Sequence, residues 1–306
     1  MKPGLDIVVD RQILHPGEEV RGRVVLAEGL QARSLTVSLQ GEEVLGAHNI
    51  SGLFVLPLVE ESKQLTPEDL EFSFRIPPDA PPSYASIDLR CQYFLKVRLS
   101  TGGLREGIRK LHLTVLPRET PGEGAGPLDL ALEHGGVKLE VRLDNPVLAW
   151  GESLFGSLIL NRLEEEAELP TLLTFRFACV EESTDPAFRH RRALWVQSHE
   201  VPVSEELDFP IVGTFEFPLD IETGGPWSAS ESPLRVLSQL VTGQTGSSTI
   251  ALPFTGTWPS FRVFFGFRMG MRLAGGGDVR QSVNLHVYRR YLPEKARPRG
   301  LPLTQV

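Results

Sequence analysis

Apolar and polar residues alternate along many short stretches of this chain, and that spacing is typical of half-buried β-strands. In residues 90–99, every second residue from Cys91 to Leu99 is apolar, and the other side carries Arg90, Gln92, Phe94, Lys96 and Arg98. Residues 108–116 repeat the pattern, and the glycines in the intervening segment 100–103 tolerate positive φ, which predicts a hairpin. Further strands are predicted at residues 5–9, 20–26, 34–40 and 70–76. So many short strands in one half of the chain indicate a β-sandwich.

A series of landmarks occurs twice in the same order. Residues 17–26 and 151–160 both read G-E-x-[VL]-x-G-x-[VL]-[VI]-L, at an offset of 134. The F-x-F segment at 72–74 is similar to that at 215–217, and the P-S-Y of 82–84 matches the P-S-F of 259–261. Each motif is followed by a long alternating strand, a glycine turn and a final strand. We therefore predict an all-β protein made of two tandem immunoglobulin-like β-sandwich domains.

Composition marks the predicted domain boundaries. Residues 118–127 are rich in proline and glycine and have no apolar periodicity, which predicts a linker. It separates an N-terminal β-sandwich at 1–117 from a C-terminal one at 128–290. The second domain contains an insertion at about 220–257 that the first lacks, and residues 291–306 form a basic C-terminal tail.

The motifs of the first domain resemble those of the arrestin superfamily. They read H-P-G-E-E-V-R-G-R-V at 15–24, F-S-F-R-I-P-P-D-A-P-P-S-Y at 72–84 and C-Q-Y-F-L-K-V-R-L at 91–99. The G-E-S-L-F-G element at 151–156 is similar to the corresponding part of arrestin C-domains. The resemblance extends to the bacterial sporulation-control-like branch and implies two arrestin-like sandwiches with an adaptor role. It does not extend to receptor binding or phosphate sensing.

Sequence patterns that signal catalysis or metal binding do not occur. The seven histidines are scattered, without a pair at helical spacing or a cysteine at zinc-site spacing. Cys91 and Cys179 fall on apolar strand faces, where small core residues are expected. Nucleophile-elbow, phosphate-loop and dinucleotide-binding motifs are lacking as well. The sequence therefore predicts no enzyme activity, no cofactor and no metal.

Charge narrows the classes of partner. A formal net charge of −8 argues against general nucleic-acid binding. The charge is uneven, because residues 119–222 carry a net −14 and residues 223–306 a net +7. No leader peptide or membrane span is recognisable, so a cytoplasmic location is expected.

Three segments are candidates for contact with a partner. Their residues are Arg189, Arg191, Arg192, Leu234, Leu237, Arg289 and Arg290. The first three arginines are predicted on a loop between two strands, where guanidinium groups can bind carboxylates or phosphates. The two leucines belong to an amphipathic helical pattern within the insertion, and the last two arginines follow the final strand.

These observations favour a non-catalytic adaptor or scaffold that binds protein partners through sheet surfaces and loops. Peripheral association with a membrane is a further interaction that the sequence leaves open. Two alternatives also stand: a ligand- or carbohydrate-binding β-sandwich protein or enzyme, and a structural component of a cell-surface or sporulation-related assembly. The sequence determines neither the identity of the partner nor the oligomeric state.

Overall fold

A computed structural model describes residues 4–27, 32–46, 54–66, 69–86, 88–101, 106–117, 126–149, 151–186, 188–204, 206–219 and 255–288. These residues form nineteen strands and no helix, so the predicted all-β class is confirmed. Contacts divide the chain into two compact units, Met1–Glu119 and Thr120–Val306.

The first unit has two sheets. Its described strands are β1 Leu5–Val9, β2 Ile13–Leu14, β3 Glu19–Leu26, β4 Ser34–Leu45, β5 Phe54–Leu65, β6 Glu71–Arg75, β7 Tyr84–Ala85, β8 Leu89–Ser100 and β9 Glu106–Val115. The smaller sheet has the order β1-β3-β6, and the larger has the order β2-β9-β8-β4-β5 with β7 paired to β8. The short pairing of β2 with β9 is parallel and the other described pairings are antiparallel.

The second unit repeats this arrangement with one more strand. Its described strands are β10 Leu128–His134, β11 Val137–Leu143, β12 Val147–Ala149, β13 Ser153–Arg162, β14 Pro170–Ser183, β15 Arg191–Pro202, β16 Ile211–Pro218, β17 Gly256–Thr257, β18 Phe261–Leu273 and β19 Asp278–Tyr288. The smaller sheet has the order β10-β11-β13-β16, and the larger has the order β12-β19-β18-β14-β15 with β17 paired to β18. As in the first unit, the short pairing, β12 with β19, is parallel.

Alternation along the strands determines which side chains enter the core. In β8 the apolar residues predicted to share a face are buried from Cys91 to Leu99. In the second unit, aromatic rings join the two sheets: Phe215 of β16 stacks on Phe175 and Phe267, with ring centroids 5.1 Å and 5.6 Å apart. Such pairs contribute roughly 0.5–1.5 kcal/mol each beyond the area they bury. The two sheets of this unit therefore pack face to face in a sandwich-like manner.

A glycine turn before β3 recurs before β13 in the same conformation. Gly17 and Gly151 both have φ of 89°, a region that glycine occupies without steric cost. Their N–H groups donate to the carbonyl oxygens of Ile76 and Leu219, each at 3.0 Å. The two glycines are therefore equivalent, as the duplicated sequence motif predicts.

The glutamate that follows each glycine explains why the motif reads G-E. Glu18 Oε2 accepts a hydrogen bond from the backbone N–H of His15 at 2.8 Å, and Glu152 Oε2 accepts one from Ala149 at 2.8 Å. Each carboxylate thus satisfies a main-chain donor that the turn leaves without a sheet partner. The motif is a local device that positions the start of a strand.

The second glycine of the motif lies where an aromatic ring crosses the strand. A Cβ on Gly22 would lie 2.7 Å from Phe72 Cζ, and one on Gly156 would lie 2.4 Å from Phe215 Cζ. Gly22 is paired with Phe72 and Gly156 with Phe215, so the two F-x-F segments occupy equivalent strands.

A bulge and a buried glutamate recur in β4 and β14, a repeat that sequence comparison missed. The register with the neighbouring edge strand shifts after Gly41 in β4 and after Cys179 in β14. Two residues farther on, Glu43 and Glu181 are both buried. The bulges and the buried glutamates are 138 residues apart between the two units, whereas the G-E motifs are 134 residues apart. A comparison at one constant offset therefore does not align them.

The match of the P-S-Y and P-S-F motifs is wrong in register. Tyr84–Ala85 precedes the turn into β8, and Gly256–Thr257 takes this place before β18. Phe261 is the first residue of β18, the place that Leu89 has in β8. Residues 256–257 therefore belong to the repeated fold and not to the insertion.

Among the long strands of the first unit, the sequence pattern also missed β5 and shortened β4. β4 continues five residues past its predicted end, and β5 was not predicted because Pro57 interrupts its alternation. Proline is tolerated there because β5 is an edge strand and Pro57 lies beside the bulge opposite Glu42.

Candidate partner-binding surfaces

The arginines predicted on a loop lie at the end of the β14–β15 hairpin. Arg189 lies in the connection and is exposed, but Arg191 and Arg192 are the first residues of β15. Placing all three on a loop was therefore wrong, because strand pairing continues to the Glu182–Arg191 pair. The other four candidates, Leu234, Leu237, Arg289 and Arg290, lie outside the described residues.

Glu182 already binds the arginines nearest to this hairpin end. Arg262 donates to Glu182 Oε2 through Nε at 3.0 Å and Nη2 at 2.7 Å. Arg191 Nη1 lies 3.9 Å from the other oxygen of the same carboxylate. The positive charge here is partly neutralised within the unit, which weakens the expectation of an arginine-based anion site.

Next to this network is a buried hydrogen-bonded pair. His190 Nε2 lies 2.8 Å from Glu181 Oε1, and both side chains are largely inaccessible to water. The His190 ring stacks on Phe188 with centroids 5.8 Å apart. The pair joins β14 to the segment before β15, so it stabilises the hairpin end.

The two cysteines are core residues, as predicted. Cys91 and Cys179 are both buried and neither forms a disulfide. Burial, reinforced by the charge of Glu181, raises the pKa of the Cys179 thiol well above its ordinary value. A thiol in this state is a poor nucleophile, because the thiolate is the reactive form.

Three positive side chains share the outer face of the larger sheet in the first unit. We call Lys96, Arg98 and Lys110 the cationic face. Lys96 and Arg98 project from β8 on the side opposite the core, and Lys110 of β9 is paired directly with Lys96. Arg98 and Lys110 are exposed.

The carboxylates near the cationic face are bound to amides instead. Gln92 Nε2 donates to Glu42 Oε1 at 2.6 Å, and Gln40 Nε2 donates to Glu60 Oε1 at 3.0 Å. Within the described part of the chain, no carboxylate forms an ion pair with a residue of the cationic face. Partial burial and the positive charges of its neighbours lower the pKa of Lys96. The face therefore carries three like charges that form no ion pair with a described carboxylate, although the charges of Glu60 and Glu42 lie near enough to raise the pKa of Lys96 in part.

One of these cations, Lys110, lies over an aromatic ring. The Lys110 ammonium lies 4.2 Å from the centroid of Phe94, and the His112 ring is 6.0 Å from the same centroid. Contact with an aromatic face orients the ammonium without cancelling its charge.

The larger sheet of the second unit has a cationic outer face of its own. Arg176 of β14 is paired directly with Arg268 of β18. Both are exposed, and Arg268 Nε donates to Ser282 Oγ at 3.2 Å. By register, Arg268 occupies the place of Lys96, so the same central strand carries a cation in both units.

The smaller sheet of the second unit exposes apolar side chains. Phe155, Ile159 and Val212 are 48%, 39% and 67% exposed, and we call them the apolar patch. Phe155 and Ile159 lie on the outer side of β13, and Val212 of the edge strand β16 is paired with Ile159. Ser157 lies between Phe155 and Ile159 on this side of the strand. Exposed apolar groups that share one outer face are typical of surfaces that bind other proteins.

The edges on one side of each unit are closed by a side chain from the larger sheet. Lys63 of β5 donates to the carbonyl oxygen of Ser73 and lies 5.0 Å from the ring of Phe74. In the second unit, His199 Nε2 donates to the carbonyl oxygen of Glu216 at 2.9 Å. Because these carbonyls are occupied, β6 and β16 offer fewer main-chain groups to an added strand.

No family model and no curated protein matches this chain. Among the described residues, no helix is long and apolar enough to cross a membrane.

The sequence analysis predicted neither the cationic face nor the apolar patch, although the pattern of β8 indicates part of the cationic face. The alternation of β8 places Lys96 and Arg98 on its polar side, but their meeting with Lys110 depends on the register of β8 with β9. The apolar patch gives no signal, because an exposed Phe155 and a buried one look alike in a pattern.

Proposed function

We propose that the protein is a non-catalytic adaptor, made of two arrestin-like, immunoglobulin-like β-sandwich domains, that binds a protein partner through the apolar patch. The domain assignment rests on the resemblance of the sequence motifs. It is supported by the recurrence of the glycine turns, the bulges and the strand orders in both units.

The exposure of the apolar patch carries the proposal. Val212 is 67% exposed on an edge strand, directly across from Ile159. Covering side chains of this size in a protein interface gains roughly 25 cal/mol for each Å² removed from water. Adjacent charges such as Lys138 and Glu140, which form an ion pair at 2.7 Å, supply the polar rim that a protein interface usually has.

The state of the reactive groups supports the non-catalytic part of the proposal. Both cysteine thiols are buried, and the His190–Glu181 pair is enclosed rather than presented to solvent. A catalytic base must come within hydrogen-bond reach of the proton that it removes from a substrate.

The test is affinity capture from a native lysate with the intact chain and two double variants. In the first variant, Phe155→Thr is combined with Val212→Thr, which removes apolar surface and keeps residues suited to strands. The matched control combines Val8→Thr with Val25→Thr, which removes exposed apolar surface from the smaller sheet of the first unit. We expect at least one stoichiometric partner to be lost about tenfold or more with the patch variant only, since hot-spot truncations cost about 2 kcal/mol.

Equal capture by the wild type and the patch variant would contradict the proposal, as would equal loss with the control. Far-ultraviolet circular dichroism and thermal unfolding are the check that both variants keep the fold. Turnover of a substrate by the purified chain would contradict the non-catalytic part on its own.

A further inference from the structure

We propose that the cationic face of the first unit is a docking surface for a membrane that contains anionic phospholipids. The face consists of Lys96, Arg98 and Lys110 on two central strands of the larger sheet. It is separate from the apolar patch, which lies in the other unit, so this inference does not rest on the proposed function.

Like charge without an ion-pair partner is the first argument. Lys96 and Lys110 are directly opposite each other across β8 and β9. Like charges at paired positions destabilise a sheet, and polar or opposite charges there would not. The two nearest glutamates are bound to glutamine amides and not to these cations. In a chain of net charge −8, three neighbouring cations that form no ion pair, with Glu42 and Glu60 acting on Lys96 only at longer range, fit an anion supplied from outside.

The position of the cations on inner strands favours a membrane over an acidic peptide. β8 lies between β9 and β4, and β9 lies between β8 and β2, so their main-chain groups are used within the sheet. A peptide on this face could not add as a strand and would bind through side chains alone. A layer of lipid headgroups needs no main-chain partners and can contact all three cations at once.

An exposed apolar residue lies at the corner of the same face. Ile108 is 50% exposed and is paired with Arg98. Its side chain projects in the same direction as the cations, where it can reach the boundary between headgroups and acyl chains. A basic cluster with a neighbouring apolar side chain is the combination that holds peripheral proteins at a membrane.

The second unit supports the inference independently. Its larger sheet carries the Arg176–Arg268 pair on the corresponding face, although the individual residues differ. The central strand carries an outward cation in both units, Lys96 in β8 and Arg268 in β18, whereas the second cation of each pair lies on a different neighbouring strand. Positive charge on the central strand is thus common to the two surfaces.

Vesicle co-sedimentation of the full chain provides the test. Each basic residue close to an anionic membrane raises partitioning about fivefold, so three raise it about a hundredfold. We expect binding to phosphatidylcholine vesicles that contain phosphatidylserine and none to phosphatidylcholine alone. Binding should disappear at about 1 M salt, where the Debye length is about 3 Å.

Variants of matched charge locate the surface. Lys96→Gln with Lys110→Gln should lower partitioning about 25-fold, and Lys96→Arg with Lys110→Arg should keep it. The control is Arg23→Gln with Arg75→Gln, which removes the same charge from exposed positions on the smaller sheet of the same unit. It should leave partitioning within about twofold of the wild type.

The proposal is overturned if the wild type does not sediment with phosphatidylserine vesicles. It is also overturned if the Lys96→Gln, Lys110→Gln variant and the Arg23→Gln, Arg75→Gln control lose binding equally. It is also overturned if soluble polyglutamate binds the face and the vesicles do not, because the partner is then an acidic protein. Loss of lysate capture by the apolar-patch variant, with vesicle binding kept, would separate this inference from the proposed function.

Discussion

Arg21 and Phe155 occupy the same place in β3 and β13, yet they produce outer faces of different character. Arg21 is bound to Glu19 at 2.7 Å and belongs to a charged surface. Phe155 is exposed and belongs to the apolar patch. One residue farther along, the equivalent positions are both glycine, Gly22 and Gly156, because an aromatic ring crosses each of them. At this point of the motif the units are thus alike where side chains face the interior and differ where they face solvent.

This contrast separates scaffold from function. Buried positions repeat because the two sheets of a unit must fit together closely. An aromatic ring needs a glycine where it crosses a strand, and each bulge follows a small residue. Outer positions have no such constraint, so a cation, a phenylalanine or a serine can stand there without changing the fold. The residues that differ between the units are therefore the ones to examine for partner binding.

The largest effect is expected where the units are most alike. Gly156→Ala would place its Cβ 2.4 Å from Phe215 Cζ and 2.9 Å from the carbonyl oxygen of Arg142. Overpacking of this kind should lower the free energy of unfolding by about 3 kcal/mol, measured by urea denaturation. Gly213→Ala in β16 is the matched control, because the nearest atoms to its added Cβ are 3.6 Å away or farther. This substitution should change the free energy of unfolding by about 0.5 kcal/mol or less. Equal costs for the two variants would show that ring crossing is not the constraint.

A smaller effect is expected where the cores differ by one hydroxyl. Tyr93 takes the place in β8 that Phe265 takes in β18, and its hydroxyl donates to the carbonyl oxygen of Pro81 at 2.8 Å. Tyr93→Phe makes the first unit resemble the second and should cost about 1 kcal/mol, because the buried carbonyl loses its donor. Unchanged thermal unfolding would mean that the hydroxyl contributes no stability.

Acid should destabilise each unit through a different histidine. Partial burial lowers the pKa of His286, and desolvation together with the Lys110 charge lowers the pKa of His112. The folded state then binds protons less readily than the unfolded chain. The stability that neutral rings provide is thus present above the unfolded pKa of about 6.5 and declines as the pH falls below it.

For this pH test, each histidine is replaced by the residue at the equivalent position of the other unit. His112→Asn and His286→Thr introduce the residues found at the corresponding positions 284 and 114. Urea unfolding should show a shallower loss of stability on acidification for the double variant than for either single variant. An unaltered slope would assign the acid sensitivity to other groups.

The smallest effect concerns single charges on the cationic face and beside the apolar patch. Lys96→Gln relieves repulsion from Arg98 and Lys110 and should raise the free energy of unfolding by about 0.2–0.5 kcal/mol at low salt. Lys138→Gln is a control of opposite sign, because it removes the attractive contact with Glu140. If both variants lower stability equally, charge repulsion on the cationic face is not significant.

Local chemistry in the chain is sufficient for much of the fold. The alternation of residues 90–99 predicts β8, and the G-E motifs predict two turns that recur with the same φ and the same carboxylate contacts. These features are readable because period-2 burial and glycine geometry depend on a few neighbouring residues. The burial of both cysteines follows from the same alternation.

Only the tertiary structure decided which residues meet. The pairing of Lys96 with Lys110, the exposure of Phe155 and the place of Gly256–Thr257 beside β18 depend on strand register and on which sheet face stays uncovered. β5 was hidden because Pro57 breaks its pattern, although an edge strand accepts it. A linear sequence states the chemistry of each residue, but the contacts that give a surface its charge or its apolar character arise between strands far apart along the chain.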